Sequence, residues 1–145
     1  MRVVLDTNIL ISACWTPDGL ESQVVRLAVA GTVTACVSPV VWAEYRDVLF
    51  RDKFAPLRAS AVALLAKLEA CAVQVIPRDT VTAASDEDDN RFLECAATAG
   101  ALYLITGNLK HYPAQWGTTR IVNARGFLTS SPERAESAAP FPNPE

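Results

Sequence analysis

Short apolar runs along the chain predict the strands of a sheet. The first run is Arg2–Leu5, which is rich in valine and ends at the polar group Asp6, Thr7 and Asn8. A short apolar run of this kind is typical of a strand that is buried on both faces. Three more such runs and a short fifth one follow: "TVTACVS" at 32–38, "VQVI" at 73–76, "ALYLITGN" at 101–108 and "TRIVN" at 119–123.

Segments with helical spacing separate these runs. Residues 20–30 form one such segment, which ends before Gly31. Residues 39–50 form a second segment, which begins with Pro39 and follows Ser38, a good N-cap. Residues 56–70 are rich in alanine and leucine, and an acid-headed segment, 86–99, ends before a glycine. Because strands and helices alternate, we expect a three-layer α/β/α sandwich around a mostly parallel sheet of four to five strands.

The length of 145 residues suits one domain, which we place at residues 1–129. Residues 130–145 are rich in serine, proline, alanine and glutamate, a composition that predicts a disordered tail. No apolar run approaches the roughly 20 residues that span a bilayer, and the start of the chain lacks the pattern of a secretory signal. We therefore expect no membrane association and a cytoplasmic location.

The formal net charge of −3 argues against a protein that coats nucleic acid by bulk electrostatics. It remains compatible with a nuclease, because an acidic site recruits divalent cations that reverse the local charge. The four cysteines include no CxxC pair and have mostly apolar neighbours. This pattern favours buried free thiols over a zinc or redox site.

Candidate chemistry lies where the strands end. Ligands of open α/β sheets bind at the carboxyl ends of the strands, and Asp6 follows the first strand directly. Thr106 and Asn108 end the fourth strand, so they are neighbours of Asp6 if the two strands are adjacent. The acids of the 86–89 run head the helix that leads into the fourth strand, and such a helix starts near the same edge.

Glu44 is a further acid, in the middle of the helix predicted at 39–50. It lies on or beside the apolar face, where burying an unpaired carboxylate costs free energy. The carboxylate therefore requires a cation or an arginine as its partner, or a crevice into which it points. A divalent ion held by Asp6, Glu44 and an acid of the 86–89 run accounts for all these placements. Oxygen ligands without a cluster of histidines or cysteines favour Mg²⁺ or Mn²⁺ over zinc.

Each acid also has a plain structural interpretation. Asp6 fits the start of a turn, Glu44 fits a surface ion pair with Arg51 or Lys53, and the 86–89 run fits a helix cap, above all at Glu87. Each signal is weak alone. Their joint occurrence at one predicted edge of the sheet is what favours a site.

Four stretches in order resemble a PIN domain, the metal-dependent ribonuclease fold found in toxins of bacterial toxin–antitoxin pairs. They are "VVLDTNIL", "SPVVWAEYRDVL", "DEDDNRFLECAATAGALYLITGN" and "LKHYP", and the likeness runs from about residue 1 to residue 128.

The resemblance implies hydrolysis of RNA phosphodiester bonds with Mg²⁺ or Mn²⁺ as cofactor. It makes Asp6, Glu44 and Asp89 the catalytic and metal-binding acids, and leaves Asp86 and Asp88 as alternative metal ligands. The resemblance also implies that Asn8, Thr106 and Asn108 are polar residues that support the acids. It implies that Lys110 and His111 contact the RNA. The partners that it implies are a cognate antitoxin and a second copy of the chain in a homodimer. Many members carry a fourth acid where this chain has Asn108, which puts a second metal ion in doubt.

Three other classes of protein compete with this interpretation. A PIN-like module that has lost catalysis and only binds RNA or a partner is favoured by Asn108. A phosphatase of the haloacid dehalogenase type needs a second acid at the position of Asn8, and a signalling receiver domain needs an aspartate pair and a late lysine that are not matched here. His111 is the only histidine, so a two-histidine ribonuclease mechanism is excluded.

Overall fold

The computed structural model describes residues 1–130. The predicted tail therefore lies outside the described residues, apart from Ser130, which ends the last helix. The helices are Thr7–Trp15 (α1), Leu20–Val29 (α2), Pro39–Leu49 (α3), Arg58–Cys71 (α4), Asn90–Ala99 (α5) and Ala124–Ser130 (α6). The strands are Arg2–Leu5 (β1), Thr34–Val37 (β2), Val73–Gln74 (β3), Tyr103–Ile105 (β4), Gln115–Trp116 (β5) and Thr119–Val122 (β6). Short 3₁₀ helices span Asp52–Leu57, Glu87–Asp89 and Leu109–His111.

One sheet forms the centre, with the strand order β3-β2-β1-β4-β6-β5. All neighbouring strands are parallel except β5, which pairs antiparallel with β6. The predicted α/β fold with a mostly parallel sheet and helices on both faces is confirmed. Helix α5 contacts β1, β2 and β4, and it also contacts α3.

The prediction of four to five strands was too low, because β5 makes a sixth. This strand has only two residues, both exposed, and it reaches β6 through a turn at Gly117, whose φ is +58°. Such a strand carries no run of apolar residues, so the hydrophobic pattern does not indicate it. The left-handed backbone at position 117 is one that glycine adopts without strain.

The pattern also missed two helices, α1 and α6. In α1 the segment "ILISACW" is apolar almost throughout, and a continuous apolar segment shows no helical period. The helix starts directly after Asp6, whose carboxylate accepts a hydrogen bond from the main-chain N–H of Thr7 and so caps it. The short α6 has only seven residues.

The central strand β1 lies in the core with its three last residues, Val3, Val4 and Leu5, almost completely buried. Helix α3 is joined to the end of this strand by Tyr45, whose hydroxyl donates a hydrogen bond of 2.6 Å to the main-chain oxygen of Leu5. Tyr45 is itself buried. This bond fixes the middle of α3 beside the carboxyl end of β1. No helix within residues 1–130 is both long and apolar enough to cross a membrane.

We expect Tyr45→Phe to lower the free energy of unfolding by about 1–3 kcal/mol, because a buried carbonyl loses its donor. The measurement is urea unfolding of the full chain. Tyr103→Phe is the matched control, because the Tyr103 hydroxyl has no hydrogen-bond partner among residues 1–130. Equal stability of the Tyr45→Phe and Tyr103→Phe variants would show that this bond contributes nothing.

Candidate active site

The carboxyl ends of β1 and β4 lie side by side. Leu5 is in register with Ile105, and the N–H of Asp6 donates to the carbonyl of Ile105 at 2.9 Å. The next residue on each strand is polar and buried: Asp6 is 5% exposed and Thr106 is completely buried. The two side chains meet, because the hydroxyl of Thr106 donates to Asp6 Oδ2 at 2.8 Å.

Four donors surround the carboxylate of Asp6. The N–H of Thr7 donates to Oδ1 at 2.7 Å, whereas Thr106, Tyr112 and Asn8 donate to Oδ2 at 2.8, 3.1 and 3.3 Å. Oδ2 accepts from three of these donors, whereas Oδ1 accepts only from the main chain, so Oδ1 keeps a free accepting position. Burial raises the pKa of Asp6, and the four hydrogen bonds oppose this rise.

Asn8 connects α1 to the loop after β4. Its side-chain oxygen accepts from the N–H of Gly107 at 2.8 Å, while its amide nitrogen lies 3.3 Å from Asp6 Oδ2. A Cβ at position 107 would lie 3.2 Å from this oxygen, so the glycine permits the close approach. Asn108 contributes its N–H to the hydroxyl of Thr106 at 3.0 Å, and the residue is otherwise exposed.

Asp89 lies at the start of α5 beside His111. The distance from Asp89 Oδ2 to His111 Nδ1 is 3.3 Å. Burial and the negative charges of Asp6 and Asp86 raise the pKa of Asp89 to about 6, against the opposing effect of His111. The charge of Asp6 therefore acts on Asp89, although the two residues are 83 positions apart in the sequence.

Glu44 is partly buried on α3, and its carboxylate has no hydrogen-bond or ion-pair partner within residues 1–130. Burial raises the pKa of Glu44, and the negative charges of Asp88 and Asp6 add to this rise. Arg51 pairs with Asp47 at 3.0 Å and not with Glu44, although its positive charge opposes the rise in the pKa of Glu44.

The remaining acids of the 86–89 run have local roles. Asp86 accepts a hydrogen bond from the N–H of Asp88 at 3.0 Å. Glu87 binds Asn90 at 3.0 Å and Arg91 at 2.9 Å, so it stabilises the start of α5, which agrees with the structural interpretation of this acid. Lys110 is exposed in the 3₁₀ turn after β4.

One group of side chains beside Asp89 has the spacing of metal ligands. Within the described part of the chain, Asp86, Asp89 and His111 form the set of three side chains whose ligand atoms all lie within 4.8 Å of one another. Two carboxylates and an imidazole are able to hold a divalent ion. Asp6 and Glu44 lie outside this set but face the same accumulation of negative charge. The structure thus places His111, predicted at the RNA, among the potential metal ligands.

Comparison with known proteins gives the family. The PIN domain family model matches residues 2–110, about three quarters of the chain. The chain belongs to the PIN domain family. An uncharacterized protein of Methanocaldococcus jannaschii is 26% identical over 111 residues, which cover 74% of this chain and 71% of that protein. The crystal structure of VapBC2 from Rickettsia felis, bound to a DNA fragment from their promoter, has the same fold. The TM-score is 0.57 at 16% identity, and the match covers 85% of this chain and 98% of that one.

The matched region contains Asp6, Glu44 and Asp89 but ends before His111 and Tyr112. Tyr112 contacts Asp6 and was missed by the sequence analysis. The sequence offered one signal for it, since an aromatic residue with a hydroxyl follows closely after the carboxyl end of the fourth strand. That signal does not distinguish a core tyrosine from one that faces a carboxylate.

The raised pKa of Asp89 gives a pH dependence of stability. An unfolded aspartate titrates at about 3.9 and folded Asp89 at about 6. Between these two pH values the folded state therefore binds more protons than the unfolded state. Protonated Asp89 thus contributes stability at low pH, and this contribution is lost as the pH rises through about 6. We expect Asp89→Asn to stabilise the PIN domain relative to the unsubstituted chain at neutral pH, and by less near pH 4. Urea unfolding in a chelator at both pH values measures this difference.

The exposed Asp79 provides the control, since Asp79→Asn should shift stability by the same small amount at both pH values. A pH-independent difference between the Asp89→Asn chain and the unsubstituted chain would contradict the assigned shift.

Proposed function

We propose that this PIN domain is a metal-dependent ribonuclease that hydrolyses RNA phosphodiester bonds and acts as the toxin of a toxin–antitoxin pair. The observation that carries the proposal is the effect of the Asp6 charge on the two other predicted acids. The charge of Asp6 raises the pKa of Glu44 and of Asp89, although the three residues are far apart in sequence. Such a collection of carboxylates is what a divalent cation neutralises.

Asp6, Glu44 and Asp89 would hold Mg²⁺ or Mn²⁺, with Asp86, Asp88 and His111 close by on the Asp89 side. Such an ion would supply an activated water and would stabilise negative charge on the phosphorane-like transition state. An acid of this site would accept the proton of the attacking water. Thr106 and Asn8 hold the Asp6 carboxylate in one orientation through hydrogen bonds of 2.8 and 3.3 Å.

Asn108 supports a second candidate, a catalytically weakened RNA-binding or regulatory module. An amide at this position brings no negative charge for a second ion. Its N–H binds Thr106, so that part of its role is structural. Because Asp6, Glu44 and Asp89 are all present, we give priority to the catalytic function.

The partners follow from the same proposal. A toxin of this class has a cognate antitoxin that covers or fills the acidic crevice, and a homodimer through the helices is a further expectation. VapBC2, the solved structure with the same fold, was crystallised with promoter DNA. A short reading frame for a DNA-binding protein next to this gene would support the pairing. Co-purification of its product with the full chain tests it directly.

We expect the purified chain to cleave RNA in Mn²⁺ and to lose cleavage in a chelator. Asp6→Asn, Glu44→Gln and Asp89→Asn should each lower the rate by about 100-fold or more, because each removes a charge from the site. Single-stranded and structured RNA substrates, followed on denaturing gels, provide the readout.

Asp18→Asn and Glu69→Gln are the matched controls, because both acids are exposed and belong to other parts of the surface. These two variants should cleave like the unsubstituted chain. Equal cleavage by the unsubstituted chain and the Asp6→Asn variant would sink the assigned site. RNA binding without any cleavage in Mn²⁺ would favour the regulatory module.

A further inference from the structure

Two consecutive residues each contact one of the proposed metal-binding acids. His111 contacts Asp89 at 3.3 Å, and the hydroxyl of Tyr112 donates to Asp6 Oδ2 at 3.1 Å. They follow the 3₁₀ turn after β4, at the open edge of the sheet. One short loop therefore connects the acid at the end of β1 with the acid at the start of α5.

This loop is held firmly at its base. The N–H of Tyr112 donates to the carbonyl of Leu109 at 3.1 Å, and that of His111 donates to Asn108 at 3.0 Å. On the other side, the N–H of Ser85 donates to the carbonyl of His111 at 2.9 Å. The loop is thus closed by its own hydrogen bonds and tied to the segment that precedes α5.

The tyrosine side chain itself is buried, with 8% of its surface exposed. A phenol with the ordinary pKa of about 10 keeps its proton at neutral pH. The hydroxyl is therefore a permanent donor, and it lies within the field of both carboxylates.

We propose that Tyr112 is a positioning residue that holds the Asp6 carboxylate in place beside Asp89 for a divalent cation. The inference rests on the proposed function, because it assigns Tyr112 to the same metal site. Asp6 and Asp89 carry like charges and repel each other, so an unrestrained carboxylate would turn away before the cation arrives. A donor on Asp6 Oδ2 keeps the orientation that the cation requires.

Hydrogen-bond partners of metal ligands commonly affect affinity by about 10–100-fold when they are removed. Tyr112 is such a partner, because it contacts the ligand Asp6 through its hydroxyl. Its removal as Tyr112→Phe keeps the ring and the packing and deletes only the donor. The expected loss of Mn²⁺ affinity is therefore about 10-fold or more.

The three tyrosines of the chain provide a complete experiment. Tyr112→Phe removes a donor to Asp6, Tyr103→Phe removes a hydroxyl with no partner within residues 1–130, and Tyr45→Phe removes a buried donor to a main-chain oxygen. For each full-length variant, Mn²⁺ affinity is measured from the spectrum of free Mn²⁺ by electron paramagnetic resonance. The midpoint of thermal unfolding is measured on the metal-free protein.

We expect the Mn²⁺ dissociation constant to rise in Tyr112→Phe and to stay unchanged in Tyr103→Phe. Tyr45→Phe should lower the unfolding midpoint and raise the dissociation constant by less than Tyr112→Phe does, because Tyr45 contacts neither Asp6 nor Asp89 and acts only through the position of α3. An unchanged or lower dissociation constant in Tyr112→Phe would overturn the role of Tyr112 and leave the proposed function intact. An equal rise in Tyr45→Phe would overturn it too, because lost stability would then explain the effect.

The failure of the proposed function has a different signature. An unsubstituted chain that binds no Mn²⁺, or an Asp6→Asn variant that binds it equally well, removes the metal site and with it the role of Tyr112. The measurements on the Asp6→Asn variant therefore separate the two outcomes.

Discussion

A carboxylate buried at the end of a central strand must be stabilised by hydrogen-bond donors, and Asp6 is in this position. Its donors come from the start of α1, from the residue after β4 and from the loop that follows. The same carboxylate also caps α1. One acidic side chain thus joins three separate segments, and the geometry of the open edge depends on it.

The second constraint is the repulsion among the acids that gather at this edge. Glu44 has no partner within residues 1–130, and the pKa of Asp89 is raised partly by the charge of Asp6. A fold selected for stability alone would separate such groups or pair them with arginine. A bound cation would neutralise the negative charge of these acids. Without it, their repulsion lowers the stability of the PIN domain.

Much of this arrangement could be predicted from the sequence. Asp6 and Thr106 follow two buried apolar runs, and parallel strands end at a common edge, so their proximity follows from the pattern. The contacts of His111 and Tyr112 could not be predicted, because they depend on a 3₁₀ turn that is tied to Ser85 by long-range hydrogen bonds. Helix α1 was missed because an almost continuous apolar segment has no helical period.

The long sequence separation within the site has a consequence for the order of events during synthesis. Asp6 is made among the first residues, whereas its partners Thr106 and Tyr112 come 100 and 106 residues later. Until the second half of the chain is folded, the carboxylate has neither its strand neighbour nor its tyrosine. An activity that depends on this crevice therefore cannot begin on a partly synthesised chain. A partner protein made during this interval would already be present when the site is complete.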